Sequence, residues 1–341
     1  MCYNFLMKVS ELGEFGLIDL LARMISGSQG NQTRPHQKLI AGIGDDAAAW
    51  HGDTSTQLAT VDSMIQDVHF SLSTISWKEL GWKSLAINLS DIAAMGGVPE
   101  YALVSLALPE DTEVEDAAAL YEGMMELAQQ FQVAIVGGDT CKSPIVSITV
   151  SVLGSRPDRN ILRRSAARPG DDIAVTGYLG SAAAGLEMLS GKLNFSPEAG
   201  AYLKDAFHHP LPRVFEGQLL VKKGLTSAID ISDGLLSDLR HICQSSNVSA
   251  RVEVDRLPIH AMVRENFGER AAELALGGGE DYELLFTGTE KVISSVKAEA
   301  PCQITVIGEI TAGQPGEISL FDPKGNPVSV RETGWEHFRH G

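Results

Sequence analysis

Residues 81–97 read Gly-Trp-Lys-Ser-Leu-Ala-Ile-Asn-Leu-Ser-Asp-Ile-Ala-Ala-Met-Gly-Gly, and no other stretch limits the fold as strongly. Trp82, Leu85, Leu89, Ile92 and Ala93 recur at helical spacing. Gly96 and Gly97 supply a stop and Pro99 prevents continuation, which predicts a helix over 81–95. Between its ends only Lys83 and Asp91 are charged, and the remaining faces carry Ala86, Ile87, Ala94 and Met95, so the helix is expected to be covered on several sides. Ser84, Asn88 and Asp91 fall at i, i+4 and i+7 and make a narrow polar strip that ends in a carboxylate. An ionised carboxylate in packed surroundings needs a partner. With no Arg in the helix and Lys83 about two turns away, Asp91 either meets a counter-charge or metal from elsewhere in the chain or caps a neighbouring backbone segment.

A chain of 341 residues exceeds one ordinary core and suits two domains of about 150 to 180 residues each. Strands are expected at 39–43, 57–61, 101–108, 133–136 and 145–153, and helices at 11–25, 81–95 and 113–131. These form an N-terminal mixed α/β domain over 1–155. A run rich in Arg, Pro, Gly and Ser over 156–172 marks the crossing into a second mixed α/β domain over 156–341. Its expected strands are 172–176, 226–231, 250–254, 282–287, 303–307 and 316–321. Its expected helices are 180–190, 197–207, 212–223, 234–246, 260–276 and 289–299.

The net charge of −17 opposes binding to nucleic acid or to an anionic membrane surface. No apolar run approaches the roughly 18 residues that cross a bilayer, and the opening residues lack a basic signal-peptide region, which together predict a cytoplasmic protein. Cys2, Cys141, Cys243 and Cys302 are scattered, so neither zinc nor a disulfide framework is expected.

An apolar run ending in a carboxylate beside Gly, Ser or Thr recurs along the chain. It appears as Ile40-Ala-Gly-Ile-Gly-Asp-Asp46, Leu58-Ala-Thr-Val-Asp-Ser63, Ala134-Ile-Val-Gly-Gly-Asp-Thr140, Ala228-Ile-Asp-Ile-Ser-Asp-Gly234 and Leu276-Gly-Gly-Gly-Glu-Asp-Tyr282. Strand ends flanked by glycine let backbone approach a ligand closely. Hard oxygen ligands without clustered Cys or His select Mg2+ or Mn2+, shared between carboxylates and substrate phosphates. A multi-metal phosphate site is therefore expected. Taken singly, each motif has a plainer reading: Asp233 would cap the following helix, Asp67, Asp238 and Glu283 read as solvated or structural, and His69, Arg164 and Trp335 read as ordinary polar, surface and packing residues. Ser190-Gly-Lys-Leu193 lacks the hydroxyl of a P-loop, and the two carboxylates within Gly42-Ile-Gly-Asp-Asp-Ala47 would repel a dinucleotide pyrophosphate unless metals intervened.

Gly13-Glu-Phe-Gly-Leu-Ile18, Gly42-Ile-Gly-Asp-Asp-Ala47, Asn88-Leu-Ser-Asp-Ile-Ala-Ala-Met-Gly96, Gly137-Gly-Asp-Thr140, Asp230-Ile-Ser-Asp-Gly-Leu235 and Gly278-Gly-Glu-Asp-Tyr-Glu283, in that order, resemble the thiamine-monophosphate kinase family of the aminoimidazole ribonucleotide synthetase-like superfamily. The resemblance implies ATP-dependent, Mg2+-dependent phosphorylation of thiamine monophosphate to thiamine diphosphate. It also implies a homodimer whose N-terminal domains pair through a shared β-barrel. It assigns Asp46, Thr60, Val61, Asp62, Asp91, Asp139, Asp230 and Asp233 to magnesium, with Asp62, Asp91 and Asp139 central to catalysis. Gly138, Asp139, Arg164 and Ser232 fall to ATP, and His69, Glu280 and Trp335 to the thiamine substrate. Val61 stands where the family usually offers a hydroxyl residue, so a metal contact there would pass to a main-chain carbonyl or water. Other members of the superfamily, selenophosphate synthetases and hydrogenase-maturation proteins, would carry a reactive Cys in a Gly-rich loop or at the C terminus, and this chain has neither. A non-catalytic nucleotide-binding regulator is the alternative from another class.

Overall fold

The computed structural model describes residues 7–27, 37–41, 49–50, 52, 54–157 and 159–328. The chain divides into two compact units, one of residues 1–92 and 98–159 and the other of 93–97 and 160–341.

In the first unit, α1 (Val9–Leu12) and α2 (Glu14–Gly27) replace the single helix expected at 11–25. Gly13 separates them at φ 75°, a conformation that ends a helix and suits glycine. A short pair, β1 (Leu39–Ala41) and β2 (Ala49–Trp50), runs antiparallel; the rest of the strand expected at 39–43 lies outside the described residues. The main sheet consists of β3 (Thr56–Ile65), β4 (Val98–Leu108), β5 (Ala134–Lys142) and β6 (Ser147–Arg156), in the order β3-β6-β4-β5. β4 and β5 pair in parallel and the other neighbours antiparallel. Two further helices follow, α3 (Trp77–Ala94), whose residues up to Ile92 lie in this unit, and α4 (Val114–Phe131).

α3 begins a turn earlier than expected. Ser76 and Glu79 form a reciprocal capping box, in which the Glu79 carboxylate accepts the Ser76 N–H at 2.8 Å and the Ser76 hydroxyl accepts the Glu79 N–H at 3.3 Å. α3 and α4 approach closely enough that a Cβ on Gly81 would stand 1.8 Å from the Leu120 carbonyl oxygen, and one on Gly123 1.9 Å from that of Lys78. The helix is covered all round: Leu85, Ala86, Ile87, Leu89, Ile92 and Ala93 are buried, and so are Lys83, Ser84 and Asn88.

The second unit carries a seven-stranded sheet in the order β13-β12-β9-β11-β7-β10-β8. The strands are β7 (Asp172–Thr176), β8 (Ser227–Asp230), β9 (Ser249–Glu253), β10 (Leu284–Gly288), β11 (Ile304–Thr311), β12 (Ile318–Phe321) and β13 (Pro327–Val328). Its helices are α5 (Ser181–Gly191), α6 (Pro197–His208), α7 (Val214–Lys222), α8 (Leu235–Ser246), α9 (Ala261–Phe267), α10 (Arg270–Gly277) and α11 (Glu290–Lys297). Alternate strand residues feed two cores. Ile173, Val175 and Leu285 join α5, α6, α8, α9 and α10 on one face, while Ala174, Leu284 and Phe286 join α7 and α11 on the other. The helix expected at 260–276 is broken at Gly268, where φ is 57°.

Candidate active site

Within the first unit the polar strip of α3 faces β3. The Asn88 side-chain oxygen accepts the Asp62 backbone N–H at 3.0 Å, and the Thr60 hydroxyl donates to the Asp91 carboxylate. Asn88 is itself fixed by donating to the Ser84 carbonyl at 3.1 Å. Period-two alternation along β3 then turns Thr60 and Asp62 towards α3 and Val61 to the opposite face, where Val61 is 59% exposed. Asp62 therefore lies mid-strand, not at the strand end expected from the sequence, because β3 continues to Ile65 along its whole pairing with β6.

Asp139 also lies within a strand. β5 runs to Lys142 instead of ending near 136, carried on by its parallel partner β4. Asp139 pairs with Ser105, Ser105 with Thr149, and Thr149 with Ser63, whose hydroxyls meet at 2.7 Å. That row occupies the face of Val61, so the sheet turns Asp139 away from the Thr60–Asp91 side. Gly138 lies so near β4 that a Cβ would stand 1.9 Å from the Val104 carbonyl oxygen. His69 closes a turn after β3: its Nδ1 accepts the Ile65 N–H at 3.0 Å, which leaves the ring proton on Nε2.

In the second unit two acid-bearing loops lie against each other. β8 ends at the buried Asp230, and the turn that follows is held by Asp238, whose carboxylate accepts the N–H groups of Ser232 and Asp233, each at 3.1 Å. Burial first, and then the negative charges of Asp230 and Asp233, push the Asp238 carboxyl well above the usual carboxylate range. Opposite this turn runs the segment leading into β10. Glu280 N–H donates to the Ser232 carbonyl at 2.8 Å and Tyr282 N–H to that of Ile231 at 2.9 Å. A Cβ at Gly279 would stand 2.4 Å from the Ser232 carbonyl oxygen, which is why glycine precedes Glu280. The structure thus brings Asp230, Ser232, Asp233 and Glu280 together.

Arg164 is exposed on a short 3-10 turn, Arg164–Ala166, and its carbonyl accepts the Ser246 hydroxyl at 2.8 Å. Asp46 and Trp335 lie outside the described residues. Among the described residues, no three His, Cys, Asp or Glu side chains gather closely enough to hold one metal ion by themselves. The donors that do meet are a hydroxyl and carboxylates, a hard-oxygen set that fits Mg2+ completed by water and substrate phosphates.

Two features escaped the sequence reading. Glu283, read as solvated or structural, is buried and accepts Nε–H and Nη2–H of Arg213, each at 2.6 Å. Asp281 accepts the N–H of Gly180 at 2.7 Å and that of Ala182 at 3.2 Å, at the start of α5. Both acids sit in the Gly278-Gly-Glu-Asp-Tyr-Glu283 motif, but their partners are remote in sequence and no local spacing announces them.

Residues 44–155 match the family described as AIR synthase related protein, N-terminal domain, and residues 168–320 match AIR synthase related protein, C-terminal domain. A thiamine-monophosphate kinase of Salmonella typhimurium is 39% identical over 96% of this chain and 98% of its own length. The crystal structure of thiamine-monophosphate kinase from Stenotrophomonas maltophilia superposes with a TM-score of 0.80 at 36% identity, covering 92% of this chain and 96% of that one. The structure of AaThiL complexed with AMPPCP and TMP superposes with a TM-score of 0.74 at 33% identity, covering 98% and 100%.

Proposed function

This chain belongs to the thiamine-monophosphate kinase family of AIR synthase related proteins, and from that premise we propose that it transfers the terminal phosphoryl group of ATP to thiamine monophosphate, giving thiamine diphosphate and ADP. The observation that carries the proposal is the near-full-length similarity to kinases of this name, joined to the likeness to a structure holding an ATP analogue and TMP.

In this reading Thr60, Asp62, Asp91 and Asp139, with Asp46 and the main chain at Val61, serve magnesium in the domain over 1–155. Asp230 and Asp233 do so in the domain over 156–341. Magnesium, when bound, offsets the charge of phosphate groups that would otherwise repel one another. The chain's own groups bind and orient. Gly138, Asp139, Arg164 and Ser232 serve ATP, and His69, Glu280 and Trp335 serve the thiamine moiety. A phosphate monoester with a second pKa of about 6 is largely dianionic at pH 7, so its oxygen attacks in line without a strong general base. That chemistry accounts for a site rich in Asp and poor in His, and it calls for no phosphoenzyme.

The protein acts as a homodimer in which the N-terminal sheets pair into a barrel. Support comes from the open four-stranded sheet, whose Val61 face leaves an apolar residue exposed. It works in the cytoplasm; Cys141, Cys243 and Cys302 are free thiols, and no helix among the described residues is long and apolar enough to cross a membrane. Chromatography after incubation with Mg-ATP and either thiamine or thiamine monophosphate tests the proposal. Thiamine diphosphate is expected from the monophosphate alone, and its absence from both reactions would favour the nucleotide-binding regulator.

A further inference from the structure

The segment that presents Glu280 is held in a conformation its own residues would not choose. Glu280 has φ 70° and Tyr282 φ 50°, a region that L-residues occupy only when their surroundings impose it. The N–H groups of Glu280 and Tyr282 are held by the Ser232 and Ile231 carbonyls, and Asp281, between them, adds the side-chain anchor of the segment. One carboxylate oxygen accepts the Gly180 N–H at 2.7 Å and the other the Ala182 N–H at 3.2 Å, so both oxygens are spent on the first turn of α5. That turn is itself anchored, since Ser181 Oγ meets the Tyr202 hydroxyl at 2.9 Å and the Tyr202 ring stacks on His260 at 4.0 Å. The neighbouring Ser232–Asp233 turn has a different anchor, the Asp238 carboxylate.

We propose that Asp281 is a positioning residue for substrate recognition: it ties the Glu280 segment to the rigid start of α5 and so fixes where Glu280 meets the thiamine substrate. This rests on the reading of Glu280 given above. Burial pushes the Asp281 carboxyl up to about 7, against the pull of its backbone hydrogen bonds, so the chain keeps an acid at a position where holding the charge is costly.

Steady-state kinetics of the wild type, Glu280→Gln, Asp281→Asn and the double variant test the proposal, with thiamine monophosphate and ATP each varied. Asn keeps one acceptor oxygen and turns an NH2 donor towards the other N–H. D281N is therefore expected to raise KM for thiamine monophosphate about tenfold. KM for ATP stays unchanged, because Asp238 still holds the Ser232 turn. In the E280Q background D281N adds little further, since the group it positions is already altered. If E280Q raises KM for thiamine monophosphate and D281N does not, or if D281N raises both KM values alike, the proposal is overturned. If E280Q has no effect, the reading of Glu280 falls and the proposal with it; a wild type that forms no thiamine diphosphate withdraws the kinase reading and, with it, this one. Should D281N fail to fold, Asp281→Ser, which also keeps a single acceptor, is read in the same way.

Discussion

Removal of Glu283 puts the strongest stress on the second unit. Its carboxylate accepts two N–H bonds from Arg213 at 2.6 Å and a further one from the Thr176 hydroxyl, and the two charged side chains are only 16% and 9% exposed. Burial works against the Arg213 charge, but the hydrogen bonds and charge of Glu283 outweigh it and hold the guanidinium above its usual value. Stripping one partner from a buried pair costs about 3–5 kcal/mol, because the remaining charge is left uncompensated. Glu216, 3.8 Å from Arg213 Nη1, keeps part of that compensation, so the lower end applies. About 3 kcal/mol in a unit of this size lowers the melting temperature by roughly 6–12 °C. Thermal unfolding of Glu283→Ala, followed by circular dichroism, reads this directly. The paired replacement Arg213→Met with Glu283→Leu removes both charges together and is expected to melt closer to the wild type than E283A does. A fall of less than about 2 °C in E283A, or a double variant as unstable as the sum of the single ones, would refute the reasoning.

Two further outcomes are expected. Asp91→Asn keeps an oxygen that accepts the Thr60 hydroxyl, so the fold survives while turnover drops at least about a hundredfold; near-normal turnover would remove Asp91 from the site. The Asp281 carboxyl, raised from 3.8 to about 7, holds its proton longer in the folded than in the unfolded chain, so its contribution to stability is present at acid pH and is lost as pH rises through that window. Urea titrations between about pH 4 and 7 should show the wild type losing stability with rising pH relative to D281N, and parallel curves would contradict this.

How much could be read from the sequence depended on whether the deciding partner was local. The core of α3 was legible because its apolar residues and its polar strip repeat with one period, and burial on every side follows from that pattern. Its first turn was missed, although the Ser76-Trp-Lys-Glu79 capping box lies there, because Gly81 read as a boundary when it is the point of close approach to α4. β5 looked finished at Gly137-Gly138, and only the parallel pairing with β4 carries it on to Lys142. The breaks at Gly13 and Gly268 were missed, because a single glycine within helical spacing does not by itself mark a break: Gly16 and Gly217 lie inside continuous helices. The candidate site divides in the same manner. Its residue types pointed to hard-oxygen chemistry, whereas which acids meet is decided by strand register: Thr60 reaches Asp91 across 31 residues and Arg213 reaches Glu283 across 70. A shift of one residue along β3 would exchange the faces of Val61 and Asp62.

The central claim, direct phosphoryl transfer from ATP to a phosphate acceptor, is tested most directly by a single turnover with ATP labelled in its terminal phosphate, quenched rapidly in the presence of thiamine monophosphate. Label should pass into the outer phosphate of thiamine diphosphate as ADP appears, with none bound to the protein. Label trapped on the protein at a competent rate, or label released only as inorganic phosphate, would contradict it.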